Sequence, residues 1–157
     1  MKRLIPLCAM GTLFLLAMAL DSFSAFIGPV TQEYQILNSH DIIHGIVREV
    51  RSEWGENHSI IYTYANIDVL EVLKGEPQDH VRIKIDGGTV DDTTLWVEDE
   101  AEFNEGMEVV IYTGLYENGD LGVFNGEHGL LAVENGVVEK LGMTLDQFRN
   151  FVHDVLK

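Results

Sequence analysis

Cysteine occurs once in the chain, as Cys8, inside a segment expected to be removed. A mature chain without cysteine has no disulfide, no thiol nucleophile and no cysteine-ligated zinc. Its stability must then come from a packed core. Basic residues are also scarce: 10 Lys+Arg stand against 26 Asp+Glu, a formal charge of -16. Nucleic-acid affinity comes mainly from Lys and Arg displacing counterions, so this balance excludes nucleic acid and disfavours anionic lipid. The catalytic and nucleotide signatures G-x-S-x-G, G-x-G-x-x-G and the P-loop are absent. No internal repeat or low-complexity linker divides the 157 residues, of which 46% are hydrophobic. Such a chain reads as one domain, long enough to bury a core.

The start of the chain has its own pattern. Lys2 and Arg3 precede 17 uncharged residues, Leu4 to Leu20, closed by Asp21. This is the tripartite form of a secretory signal peptide. Small residues at Ser22 and Ser24 place cleavage after Ser24 or Ala25, with Ala19 as the alternative. An uncleaved anchor through residues 4–20 is the competing expectation, although the run falls short of the roughly 20 residues of a spanning helix. Cys8 lies within the apolar run rather than directly after it, which argues against lipidation. The expected organisation is a signal peptide over 1–24, an N-terminal extension over 25–40, and a single domain over 41–157. Removing residues 1–24 leaves 8 basic and 25 acidic residues.

The mature chain is dominated by strand patterns. Gln35 to Ser39 is polar and reads as a turn. Asp41–Arg51 alternates as a strand with a bend or bulge at Gly45, and Trp54 to His58 is a turn. Ile60–Leu73 is a long strand with Ile61, Thr63, Ala65 and Ile67 on one face and Tyr62, Tyr64 and Asn66 on the other. Val81–Ile85 points Val81, Ile83 and Ile85 inward. Gly87-Gly88-Thr89 breaks it, and Val90–Asn104 follows as an acidic loop around Leu95-Trp96-Val97. Glu108–Leu115, Leu121–Phe124 and Leu130–Val133 are further strands, and Glu117 to Asp120 is a turn. Asn135-Gly136 signals a type I′ hairpin turn. Thr144 and Gln147 then form a capping box, and Leu145, Phe148, Val152 and Val155 make one apolar stripe of a helix over 144–156.

Some seven short strands with glycine-rich turns and one terminal helix predict a mainly β fold, a small closed or partly open β-barrel carrying a C-terminal amphipathic helix. A β-sandwich is the alternative.

Particular residues carry a resemblance. The runs Ile61-Tyr62-Thr63 … Val69-Leu70-Glu71-Val72-Leu73-Lys74-Gly75, Asp86-Gly87-Gly88-Thr89-Val90 and Phe103 to Val110 resemble a family of uncharacterised secreted domains in bacteria and archaea. The match covers roughly Asp41 to Lys140 and the terminal helix. It implies an OB-like, five-stranded barrel, distantly similar to the netrin and metalloproteinase-inhibitor (TIMP-like) modules. It implies no activity. In the inhibitors an N-terminal cysteine reaches the protease zinc, and this mature chain has none.

Few residues have the spacing of a reactive site. His40 and His44 bracket a strand start, where four residues separate their side chains by about 13 Å, too far to share one ion. His58, His80, His128 and His153 are scattered, so the histidines read as surface or hydrogen-bonding groups. Ser39-His40-Asp41 contains triad residue types, but neighbours on an extended chain point to opposite sides. Asp91, Asp92, Glu98, Asp99, Glu100 and Glu102 fall within twelve residues and offer oxygen ligands suited to Ca2+. They lack the EF-hand order, and a solvated acidic face is the preferred reading. Glu76, Asp79 and His80 read as turn residues. Tyr62, Tyr64 and Trp96 are candidates for an aromatic face that takes a glycan or a peptide, against the plainer reading of core or cross-strand pairs. Asn57-His58-Ser59 is an N-glycosylation sequon in a surface turn.

The expectation is therefore a non-enzymatic, exported, monomeric binding domain at the cell envelope or outside the cell. Its partner would be a protein or polymer, with no membrane contact after signal cleavage. The alternatives are a Ca2+-binding accessory module built on residues 91–102, and a TIMP-like inhibitor without the cysteine mechanism. A hydrolase would need residues the pattern does not supply.

Overall fold

Alternating apolar residues on three successive strands give the barrel its inner surface. The computed structural model describes residues 30–116 and 118–157. The leader assigned to residues 1–24 lies outside these residues. Among the described residues no helix is long and apolar enough to cross a membrane. The chain runs through α1 (Gln32–Asn38), β1 (Ile42–Trp54), β2 (Ile61–Lys74), β3 (His80–Asp86), β4 (Gly88–Val90) and β5 (Thr93–Leu95). It continues through β6 (Glu108–Leu115), β7 (Leu121–Val123), β8 (Leu130–Glu134), β9 (Val137–Val138), β10 (Met143–Thr144) and α2 (Leu145–Val155).

Strands β1, β2 and β3 form an antiparallel meander. β6 and β7 then make a hairpin that closes the ring: β6 pairs antiparallel with β1, and β7 meets β3 in parallel through Ile83 and Leu121. The circuit β1-β2-β3-β7-β6 is a five-stranded OB-like barrel, extended on β6 by β8, β9 and β10. β1 reaches both neighbours because it is bent, with register shifts at Ile42/Ile43, His44/Gly45 and Val47/Glu49. Bulges of this kind increase local twist, and the expected irregularity at Gly45 is among them.

Two cores follow from the alternation. Val47, Ala65, Ile67, Ile83 and Ile111 fill the barrel. Ile42, Val110, Tyr112 and Leu131 face outward and are covered by Phe148 and Val152 of α2 and Ile36 of α1. β1 and β6 lie between the two cores, so both of their faces are apolar, as in Val109-Val110-Ile111-Tyr112. The helix starts as expected: Thr144 Oγ1 accepts from Gln147 N–H at 3.2 Å, and Gln147 Oε1 accepts from Thr144 N–H at 2.8 Å. The β8–β9 turn has positive φ at Asn135 (51°) and Gly136 (76°), as a type I′ turn requires.

Four expectations are corrected. Gln35 to Ser39 is not a turn: it belongs mostly to α1, capped by the Thr31 hydroxyl. Gln35 is buried although polar, because its side chain donates to His128 C=O at 2.6 Å and accepts from Asn125 Nδ2 at 3.2 Å. Lys74 Nζ donates to the Ile36, Leu37 and Ser39 carbonyls at the end of α1, satisfying groups every helix end leaves open. Part of the segment read as an extension is thus packed into the domain. Second, the front of the acidic loop is a hairpin, β4–β5, with Asp91 left-handed (φ 51°) in its turn. Third, the described residues form ten strands rather than seven, several of them only two or three residues long. Fourth, His80, read as a turn residue, begins β3 and bonds Asp68 Oδ1 at 3.0 Å.

Candidate functional site

An OB-like barrel of five strands needs something to close its open end. Here residues 96–104 supply it, through the alternation of Glu100 to Asn104. Ala101 (2% exposed) and Phe103 (7%) point into the barrel core beside Val109 and Leu130. Glu98, Asp99 and Glu102 point to solvent. The acidic segment is therefore a plug with one apolar and one charged face. A cleft of about 880 Å³ runs between this plug, the β4–β5 hairpin and the ends of β1 and β2.

The cleft floor is set by hydroxyls. Ser52 Oγ and Thr63 Oγ1 are 2.8 Å apart, and Thr63 donates to Gly87 C=O at 2.8 Å. Gly88 lies directly over them with φ 127°, and a Cβ there would collide with both hydroxyls. Only glycine suits that backbone and that gap. The walls carry Asp86, Glu98, Asp99, Glu100, Glu102 and Glu127. Burial raises the Glu100 carboxyl above its ordinary value, and the Asp86 charge adds to that. Lys140 is the cation in the lining, and its Nζ donates to Glu127 C=O at 2.9 Å. Glu127 N–H also donates to Asp99 C=O at 2.8 Å, tying the plug to the 126–129 turn. At the lip stands Trp96, 73% exposed.

Sequence proximity does not make the acidic residues a metal site. Asp91 and Asp92 form the β4–β5 turn, while Glu98, Asp99 and Glu100 line the cleft. Among the described residues no three His, Cys, Asp or Glu side chains converge on a point an ion could occupy.

The proposed aromatic face is also divided. Trp96 lines the cleft, whereas Tyr62 and Tyr64 alternate with the inward Ile61, Thr63 and Ala65 and so lie on the barrel's outer surface. There the Arg82 guanidinium lies 3.7 Å over the Tyr64 ring, and Lys84 Nζ lies 4.1 Å from the Tyr62 ring centre. Each cation has a carboxylate partner: Glu53 at 3.7 Å for Arg82 and Asp120 at 2.9 Å for Lys84. The Lys84 hydrogen bond holds Asp120 below the usual carboxylate range. This surface satisfies itself.

His40 Nδ1 lies 2.8 Å from Asp41 Oδ2, but Ser39 Oγ is buried without a partner, so the three do not form a relay. His44 is buried between β1 and β6, its Nε2 2.8 Å from Glu108 Oε1. Asn57 is exposed in the β1–β2 turn.

Sequence reasoning missed Asp86, Thr94 and Glu127 as cleft residues. A signal for the plug was present, since Glu100-Ala101-Glu102-Phe103-Asn104 alternates polar and apolar. No family model matches the chain, and no curated protein matches it.

Proposed function

We propose that the chain is an exported, non-enzymatic binding domain that holds a protein or polymer partner in the cleft at the plugged end of its barrel. Trp96 carries this reading. A 73% exposed indole at the lip of a concave surface leaves apolar area in water that a partner would cover. Covering such a side chain is worth about 1.5–3 kcal/mol, and tryptophan is among the residues that dominate interface energetics. The outer Tyr62–Tyr64 surface is a poorer candidate because its cations already cover the rings. The resemblance to secreted OB-type modules is compatible with a binding role, since that barrel serves many binding functions. Secretion or envelope localisation rests on the pattern of residues 1–24, and an exported species whose mass begins near Ala25 or Phe26 would test it.

The test of binding is capture from envelope and culture-supernatant fractions on immobilised protein. A partner retained by wild type and by Leu70→Ala, an exposed β2 position, is expected to be lost with Trp96→Ala. Equal capture by the Trp96 variant would overturn the cleft as the binding site.

A further inference from the structure

We infer that the cleft takes an extended, basic segment of a partner protein as an added strand on the open edge of β5. This rests on the reading of the cleft as the binding site and names its occupant. β5 pairs with β4 alone, through Val90–Thr93, Thr89–Thr94 and Gly88–Leu95. In a hairpin closed by a two-residue turn the closing pair, Val90–Thr93, exchanges both backbone hydrogen bonds. Bonded and non-bonded pairs alternate, so Thr89–Thr94 is the non-bonded pair and Thr94 turns its N–H and C=O away from β4. The Thr89 and Thr94 hydroxyls, 2.9 Å apart, fit the close side-chain approach of such a pair. Among the described residues no backbone group bonds that outer edge.

Natural sheets guard their edges with short strands, lysine, proline, bulges or covering elements, and of these β5 has only its length of three residues. The edge Thr93-Thr94-Leu95 has none of those residues, and Trp96 follows it directly. An extended segment on this edge would run along the cleft. Its backbone would meet Thr94, one face would pack on Trp96, and alternate side chains would face the plug. That wall presents Glu98, Asp99, Glu100 and Glu102, with Asp86 and Glu127 beside them. The complementary side chains are Lys and Arg. Lys140 does not offset this, being one cation bonded to a carbonyl.

The experiment uses Trp54→Phe protein, in which Trp96 is the remaining tryptophan. Three synthetic peptides are titrated against it: alternating Lys and Val, alternating Glu and Val, and the Lys–Val peptide N-methylated along one edge. The Lys–Val peptide is expected to shift Trp96 emission to the blue and saturate, while the Glu–Val peptide does nothing. N-methylation removes the donors of the strand pairing, and each lost backbone hydrogen bond should weaken binding by roughly two- to tenfold. Thr94→Pro removes the outward N–H from the protein side at an edge position that tolerates proline, and should weaken the unmodified peptide to a similar degree. Equal binding of methylated and unmodified peptides would overturn strand addition and leave the cleft reading intact. Failure of the Lys–Val peptide to bind, with partner capture still dependent on Trp96, would overturn the basic segment alone. Capture independent of Trp96 would instead defeat the reading on which the inference rests.

Discussion

Phe103→Ala tests whether residues 96–104 close the barrel. Phe103 is 7% exposed and belongs to the same core cluster as Ala101, Val109, Ile111 and Leu130. Deleting a buried phenyl ring costs about 3–5 kcal/mol, from lost transfer energy plus the cavity left behind. That is a large part of the roughly 5–15 kcal/mol that holds a domain together. At about 3–4 °C per kcal/mol for a chain of this size, the melting temperature should fall by about 10–20 °C. Glu102→Ala is the internal control. Its exposed side chain alternates with Phe103, and a surface change of this kind should stay within about 0.5 kcal/mol. The assay is urea unfolding followed by far-ultraviolet circular dichroism, with the slope checked for constancy. A loss below about 1 kcal/mol at Phe103, or equal losses at both positions, would refute the plug.

Three further outcomes are expected. Gly136→Val should cost about 1 kcal/mol or more in urea unfolding: φ is 76° and no atom lies within 4 Å of an added Cβ, so the loss is backbone strain alone. Glu100→Gln should raise the melting temperature at neutral pH. The folded-state pKa of Glu100 lies above its ordinary 4.5, so the folded state binds the proton more tightly and stability falls as pH rises through that window. The gain from Gln should therefore shrink as the medium is acidified below it, as melting curves across pH would read. Finally, Ca2+ and Mg2+ at matched ionic strength should shift the melting curve no more than NaCl does, because no three acidic side chains converge among the described residues. A saturable, Ca2+-specific shift abolished by Asp99→Asn would restore the metal-module reading.

The parts of the fold legible in the sequence were those with a repeating signal. Ile61 to Ile67 and Val81 to Ile85 alternate over enough residues to identify both strand and inner face. Thr144 and Gln147 mark a helix start through two specific hydrogen bonds. The features missed were short or stabilised from outside. α1 spans seven residues and buries a glutamine, held by partners 90 and 93 positions away in sequence. β4 and β5 are three residues each, too few for a period. At the site, the acidic residues were visible as a charge run. Their division between a hairpin turn and a plug depends on where Ala101 and Phe103 find the barrel. Trp96 and Tyr62 were grouped by residue type, and strand alternation separates them.

Amide hydrogen exchange of the protein, alone and with the partner recovered by capture, tests the central claim most directly. Bound partner is predicted to slow exchange across residues 87–104 and 126–128, with the Thr94 amide changing most. Protection confined to the outer surface of β2 and β3, around Tyr62, Tyr64, Arg82 and Lys84, with the cleft amides unchanged, would contradict it.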